Sequence, residues 1–144
     1  MRIIALRFSN NFAPEEGTIC AHDSIISKIG YVWYGKLGCR ISQKVINEIM
    51  CNDNPRILLI HSGGPNRYWA YVEQIINDEP PYNEIPEYYR DRASEFKSWF
   101  KVTRFETAPR NVLSKCFVVS SGAPLSVASK HSMSPYFIVE YEDN

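Results

Sequence analysis

Residues 56–76 read RILLIHSGGPNRYWAYVEQII, and this stretch decides the fold class. Ile57, Leu58, Leu59 and Ile60 form an unbroken apolar run, which predicts a buried strand over Arg56–His61. Ser62–Arg67 contains Gly63, Gly64, Pro65 and Asn66, a turn by composition. Tyr68–Ile76 resumes as a strand, so the pair reads as a β-hairpin with a longer loop.

Upstream, Arg2–Phe8 reads as a first strand around Ile3, Ala5 and Leu6, broken by Ser9, Asn10 and Asn11. Residues 12–28 read as loop with a short helical turn. Gly30–Tyr34 reads as extended, rich in Tyr, Val and Trp, with Gly35 and Gly38 bounding the next turn. Ser42 is a good N-cap for a helix through Met50, where Val45, Ile46, Ile49 and Met50 share one face. Asn52–Pro55 stops that helix.

Downstream, Pro80, Pro81 and Pro86 among many acids predict a loop, with a helical turn at Glu87–Arg92. Lys97–Glu106 reads as a long strand. Pro109–Lys115 reads as one helical turn with proline at its start. Short strands at Phe117–Ser120 and Tyr136–Tyr141 flank a polar segment, Ser121–Ser134. Five to six strands in an order that does not alternate with helices argue against a doubly wound sheet. The expected class is α+β: a small curved sheet or barrel, one main helix and short helical turns, in a single domain over residues 1–144.

Lys and Arg number 16, as do Asp and Glu, so bulk charge does not drive the chain onto nucleic acid or membrane. The charge is uneven, however. Residues 28–44 carry Lys28, Lys36, Arg40 and Lys44 and no acid, whereas residues 73–95 carry seven acids against Arg90 and Arg92. Such asymmetry makes either one basic face or two ordinary solvated faces. No apolar run approaches the ~20 residues of a membrane helix. Met1–Phe8 is too short and too interrupted by Arg2 and Arg7 for a signal peptide. The four cysteines form no C-x-x-C pair, and reduced thiols in a cytoplasm are the expectation.

His22, His61 and His131 lie 39 and 70 residues apart with no local ligand spacing, so no metal or other cofactor is expected. His61-Ser62-Gly63-Gly64 lacks the G-x-S-x-G elbow, and neither phosphate-cradling glycine motif occurs. The aromatics carry more information: they are 13% of the chain, and rings stack on nucleobases for about 1–3 kcal/mol each. Trp69 and Phe100 are expected to fill the core. Trp33, together with one or two of Tyr88, Tyr89 and Phe96, is expected to face an open pocket. Lys36, Arg40 and Lys44 are the first set expected to hold flanking phosphates, and Lys97, Lys101 and Arg104 the second.

Several segments, taken in order, resemble the PUA-like superfamily, in particular its YTH and EVE branches. They are Arg7-Phe8-Ser9-Asn10, Ile29-Gly30-Tyr31-Val32-Trp33-Tyr34, Leu58 to Gly64, Tyr68 to Glu73, Phe96 to Val102, Pro109 to Leu113 and Val118 to Gly122. The resemblance runs roughly from residue 2 to residue 140. YTH domains read N6-methyladenosine in RNA through an aromatic cage, and EVE domains are linked to modified bases in DNA. The resemblance implies a cage of Trp33, Phe96 and Tyr88 or Tyr89. Phe8, Asn11 and Tyr34 would border it, with Ser62 or Asn66 reaching in from the hairpin loop. The chain departs from the pattern in placing Phe or Tyr at the second and third cage positions.

The leading expectation is a module without catalysis of its own that recognises a modified base in RNA or DNA, with a nuclease or other effector protein as a candidate partner. Three other readings stay open. One is a binder of a free nucleotide or other small molecule in the same pocket. Another is an ASCH-like ribonuclease or hydrolase using His61 or His131 with a Lys or Ser. The last is a subunit whose aromatic patch docks a partner protein.

Overall fold

The computed structural model describes residues 1–11, 13–62 and 64–142. Phe12, at the start of the expected loop, Gly63 of the expected hairpin turn and the last two residues of the expected domain lie outside the described residues.

The first strand, β1 (Arg2–Phe8), leads into helix α1 (Thr18–Ile29) and strand β2 (Val32–Leu37). Helix α2 (Gln43–Met50) follows, then the hairpin β3 (Arg56–His61) and β4 (Arg67–Ile76). Two 3₁₀ segments, Tyr82–Glu84 and Glu87–Glu95, precede the long strand β5 (Phe96–Thr107). A third, Val112–Lys115, leads to β6 (Cys116–Val118), α3 (Leu125–His131) and β7 (Tyr136–Tyr141). Seven strands form one mixed sheet in the order β2-β5-β4-β3-β1-β7-β6.

The uninterrupted apolar runs of β1 and β3 have a physical reason. These strands are central and covered on both faces, and β1 pairs parallel to β3, with Ala5 opposite Leu58 and Phe8 opposite His61. A parallel pair requires a long crossover, which α1, β2 and α2 supply. Every other pairing is antiparallel. The expected hairpin forms, with Arg56 opposite Tyr71 and Ile60 opposite Arg67.

The sheet curls. Register shifts interrupt β4–β5 around Val72 and β2–β5 at Lys36, and such irregularities bend strands and increase twist. As a result, the Lys36 ammonium of edge strand β2 lies 3.9 Å from the ring centroid of Tyr136 on β7, although four strands separate β2 from β7 in the ladder. Ile4, Leu6, Val32, Tyr34, Leu59, Phe100 and Val102 fill the inner face, where Ile46 and Ile49 of α2 and Ile25 and Ile26 of α1 pack. On the other face, Ile3, Leu58, Trp69, Val139 and Tyr141 pack with Val112, Leu113 and Leu125.

Two expectations need correcting. Residues 12–28 are not mainly loop, because α1 occupies Thr18–Ile29. Its inward face contains Thr18 and His22, both buried, so apolar spacing is masked. Its cap is remote as well: Asn10 Oδ1 accepts the Thr18 amide at 3.0 Å. Gly30 closes the helix with φ 90°, a conformation glycine adopts without a Cβ penalty. The polar segment Ser121–Ser134 likewise contains α3, begun by Pro124 and anchored by fully buried Leu125. The described residues therefore form seven strands rather than five or six, and more than one helix, within the expected curved α+β class. Among the described residues no helix is long and apolar enough to cross a membrane.

Candidate functional site

A cavity of about 250 Å³ opens where the curled sheet fails to close, between β2 and the C-terminal end of β1 with the start of β7. Leu6 to Ser9 line it from β1, Tyr34 to Leu37 from β2, and Pro135 and Tyr136 from β7. Tyr88, Tyr89, Arg92 and Phe96 line it from the 3₁₀ segment and the start of β5, and Ala13 and Thr18 from the start of α1 and the segment before it. Six of the lining residues are aromatic: Phe8, Tyr34, Tyr88, Tyr89, Phe96 and Tyr136.

The rings hold one another in place. Phe96 stacks on Tyr89 with centroids 4.6 Å apart and meets the edge of Trp99 at 5.1 Å. Tyr89 also sets its edge against Tyr88 at 4.9 Å. Phe96 lies flat over Gly35, where a Cβ would fall 2.6 Å from its Cγ and 2.7 Å from its Cδ1. Gly35 is thus the residue that lets Phe96 form a cavity wall.

Lys36 is the most buried charge in the cavity wall, which Arg7, Ser9, Thr18 and Arg92 also line. Its residue is 3% exposed, and its Nζ donates to the carbonyls of Leu37 at 3.2 Å and Cys39 at 2.7 Å. It lies over the Tyr136 ring and makes no ion pair with a carboxylate among the described residues. Burial draws its pKa below the usual lysine value. The two carbonyls and the ring face act the other way and favour the ammonium. Two of the ammonium's three donors thus meet carbonyls, and the Tyr136 ring face lies 3.9 Å from the nitrogen.

Behind Tyr34 and Tyr89 sits His22, fully buried, with its ring 4.9 Å from each of theirs. A carbonyl only accepts, so the 2.8 Å contact with Thr18 O makes Nδ1 the protonated nitrogen. Nε2 then presents a buried lone pair with no partner among the described residues. Burial pulls the His22 pKa down to about 4, and the ring is neutral at pH 7. Burial pushes the Tyr34, Tyr88 and Tyr89 hydroxyls above the ordinary tyrosine value, so these side chains are neutral donors.

The expected cage is corrected at its first member. Trp33 does not line the cavity. Its neighbours Val32 and Tyr34 point to the inner face, so strand alternation turns Trp33 to the other one. There it is 5% exposed, packs with Ile85, Ala93 and Trp99, and donates Nε1–H to Glu84 Oε1 at 3.0 Å. The Tyr31 hydroxyl donates to the same oxygen at 2.8 Å. Phe96, Tyr88, Tyr89, Phe8 and Tyr34 do come together around the cavity. Asn11, Ser62 and Asn66 do not reach it. Ser62 instead donates its amide to Phe8 O at 2.7 Å, and Asn66 O accepts the His61 amide at 3.1 Å.

Of the expected phosphate contacts, Lys36 lies inside the cavity and the others lie outside it. Arg40 and Lys97 are exposed, and Lys97 Nζ is 3.4 Å from Ser94 O. Lys44 faces a separate surface cleft beside Glu48. Lys101 lies over Tyr31 and 3.7 Å from Glu73, and Arg104 lies over Tyr71 and 3.1 Å from Glu106, so nearby acids already offset both charges. Sequence reasoning did not single out Tyr136, Gly35 or Arg92 for the site. Their only signal is the curl that brings β7 and the 3₁₀ segment against β2.

The chain matches the family described as Pua-like over residues 4–136, nearly its whole length. This protein belongs to the Pua-like family. No curated protein and no solved structure gives a significant match to it.

Proposed function

We propose that the cavity receives one flat heterocycle, a modified nucleobase carried in RNA or DNA, and that the protein is a binding module with no chemistry of its own. The observation that carries this reading is the six-ring cavity with the Lys36 ammonium held at its wall. Ligand pockets for drug-sized molecules run from about 300 to 1,000 Å³. At about 250 Å³ this one suits a single base better than a base with its sugar and phosphates. Membership of the Pua-like family supports the reading, because such domains generally bind nucleic acid.

A Lys36 donor turned from the Tyr136 ring suits an acceptor on the base edge, a ring nitrogen or a carbonyl, which fixes the edge of the ring while the aromatic walls take its faces. A base methyl then adds about 1 kcal/mol from burial, at ~25 cal/mol per Å². Discrimination beyond that comes from polar contacts that hold the base in register. The choice between an N6-methyladenosine-like and a modified-cytosine-like base belongs to this proposal and is an outcome of its test.

The test is a fluorescence-anisotropy titration of short oligonucleotides that carry either a modified or a plain base. The expected result is tighter binding of one modified oligonucleotide, lost in Lys36→Met. A hydrogen bond to a charged donor is worth about 1.5–3 kcal/mol, so the loss is roughly tenfold or more. Equal affinity for all bases would count against a reader. Tight binding of a mononucleotide, indifferent to chain length, would favour a free-nucleotide binder instead.

A further inference from the structure

A second concavity, of about 380 Å³, lies beyond the first, among the end of β3, the start of β4, the segment around the third 3₁₀ turn and α3. Arg7, Arg67, Arg110 and Lys130 line it, with His61 and serine hydroxyls, and its lining contains no Asp or Glu among the described residues. In a chain whose acids equal its Lys and Arg, four cations without an acid are a concentrated charge. None of the four forms an ion pair among the described residues.

Their roles differ. Arg7 is committed to the fold: it donates to the carbonyls of Ser129, Ser132 and Ser134, which fastens the end of α3. Arg67 donates Nη1–H to Pro65 O, and its Nε is buried with no partner among the described residues. Arg110 and Lys130 are exposed and make no side-chain hydrogen bond among the described residues. Like charges gathered without a counter-charge destabilise the free protein through mutual repulsion. A bound polyanion would relieve that repulsion.

The two concavities adjoin each other at shared and stacked residues. Arg7 lines both. Phe8 of the aromatic cavity stacks on His61 of the groove, centroids 5.0 Å apart and planes 20° apart. Ser62, in the groove, donates its amide to Phe8 O. A strand that left a base between the rings of the first site would pass His61 on its way to Arg67, Arg110 and Lys130.

We infer that this acid-free groove binds the phosphodiester backbone of the nucleic-acid strand whose base enters the aromatic cavity. The inference rests on the nucleic-acid reading above and replaces Arg40, Lys44, Lys97, Lys101 and Arg104 as backbone contacts. The cations come from separate segments and serve successive phosphates rather than one.

The test compares wild type with Arg110→Gln/Lys130→Gln and with Lys28→Gln/Arg90→Gln, which removes the same charge from exposed positions outside the groove. Binding of a modified and a plain single-stranded oligonucleotide is measured between about 50 and 200 mM salt. Each phosphate contact on a single strand contributes about −0.7 to the slope of log affinity against log salt. The groove pair is therefore expected to flatten the slope by about 1.4 and to weaken both oligonucleotides about tenfold near 0.15 M salt. The control pair should change affinity by less than about twofold. Inorganic phosphate at the concentration of the oligonucleotide's own phosphates should not compete. If it does, the groove is a free-phosphate site and the inference fails.

Equal losses in groove and control pairs would mean diffuse electrostatics, and an unchanged slope in the groove pair would also overturn the inference. Failure of the base-reading proposal looks different: the groove pair flattens the slope while modified and plain oligonucleotides bind alike. If no oligonucleotide binds at about 50 mM salt, both fall together.

Discussion

Gly35→Ala is the substitution that bears most directly on the cavity. The new Cβ would sit 2.6 Å and 2.7 Å from Phe96 Cγ and Cδ1, against an ordinary carbon contact of about 3.5–4.0 Å. The ring must therefore retreat by about 1 Å. It cannot do so freely, because Tyr89 stacks on it at 4.6 Å and Trp99 abuts it at 5.1 Å. Overpacking of this kind costs about 1–3 kcal/mol. In a domain of this size that corresponds to a fall in Tm of roughly 5–10 °C. Thermal unfolding followed by circular dichroism measures it. Because Phe96 is a wall, the same variant is expected to lose most of its oligonucleotide affinity. A cycle with Phe96→Ala isolates the cause: in that background Cγ and Cδ1, the atoms the added methyl group meets, are gone, and its cost should fall by at least about 1 kcal/mol. A Gly35→Ala protein with unchanged Tm and unchanged binding would refute the reasoning, as would a strictly additive cycle.

Three further outcomes are expected. His22 is protonated in the unfolded chain below pH 6.5 but not in the folded chain until about pH 4, so it takes stability away as pH falls through that window and nothing above it. The full loss is about 3 kcal/mol, and urea titrations at several pH values should show a shallower acid dependence in His22→Phe than in wild type. Ser98→Ala removes a buried hydroxyl that accepts the Ile41 amide at 2.9 Å and donates to Asn77 Oδ1 at 2.6 Å. It should cost about 1–3 kcal/mol in a urea titration, because it leaves the Ile41 amide unpaired in the interior. Trp33→Phe should lower stability by about 1–2 kcal/mol through the lost bond to Glu84, yet leave oligonucleotide affinity within about twofold of wild type in the anisotropy titration.

How far the sequence discloses this fold depends on which residues do the work. Ile57–Ile60 and Ile3–Leu6 are apolar on both faces, and central strands require that, so β1 and β3 are legible residue by residue. Ser42 caps α2 with its own side chain, accepting the Val45 amide at 3.3 Å, and the local rule finds it. Helix α1 is hidden because its cap comes from Asn10, eight residues before Thr18, and its buried face contains a histidine. The site divides in the same way. Tyr31-Val32-Trp33-Tyr34 places aromatics on both faces of one strand, and a period of two assigns Trp33 and Tyr34 opposite sides. Which side faces the interior is set by the register of β2 on β5, with Tyr34 opposite Phe100 and Trp33 opposite Lys101. No local pattern in residues 30–37 contains that information.

The location of the cavity follows from the same register. Strand β2 pairs only with β5, so its second edge has no neighbouring strand among the described residues, and the sheet curls until that edge faces β1 and β7. Had the barrel closed there, backbone hydrogen bonds would occupy the seam. Instead the 3₁₀ segment lays Tyr88 and Tyr89 along it, and Lys36 crosses it to the ring of Tyr136. A seam of this kind is lined with rings because they exclude water over a wide area while keeping few polar atoms to satisfy. Lys36 is the exception. A buried ammonium without a carboxylate is costly, and among the described residues the carbonyls of Leu37 and Cys39 and the ring face of Tyr136 are what offset that cost.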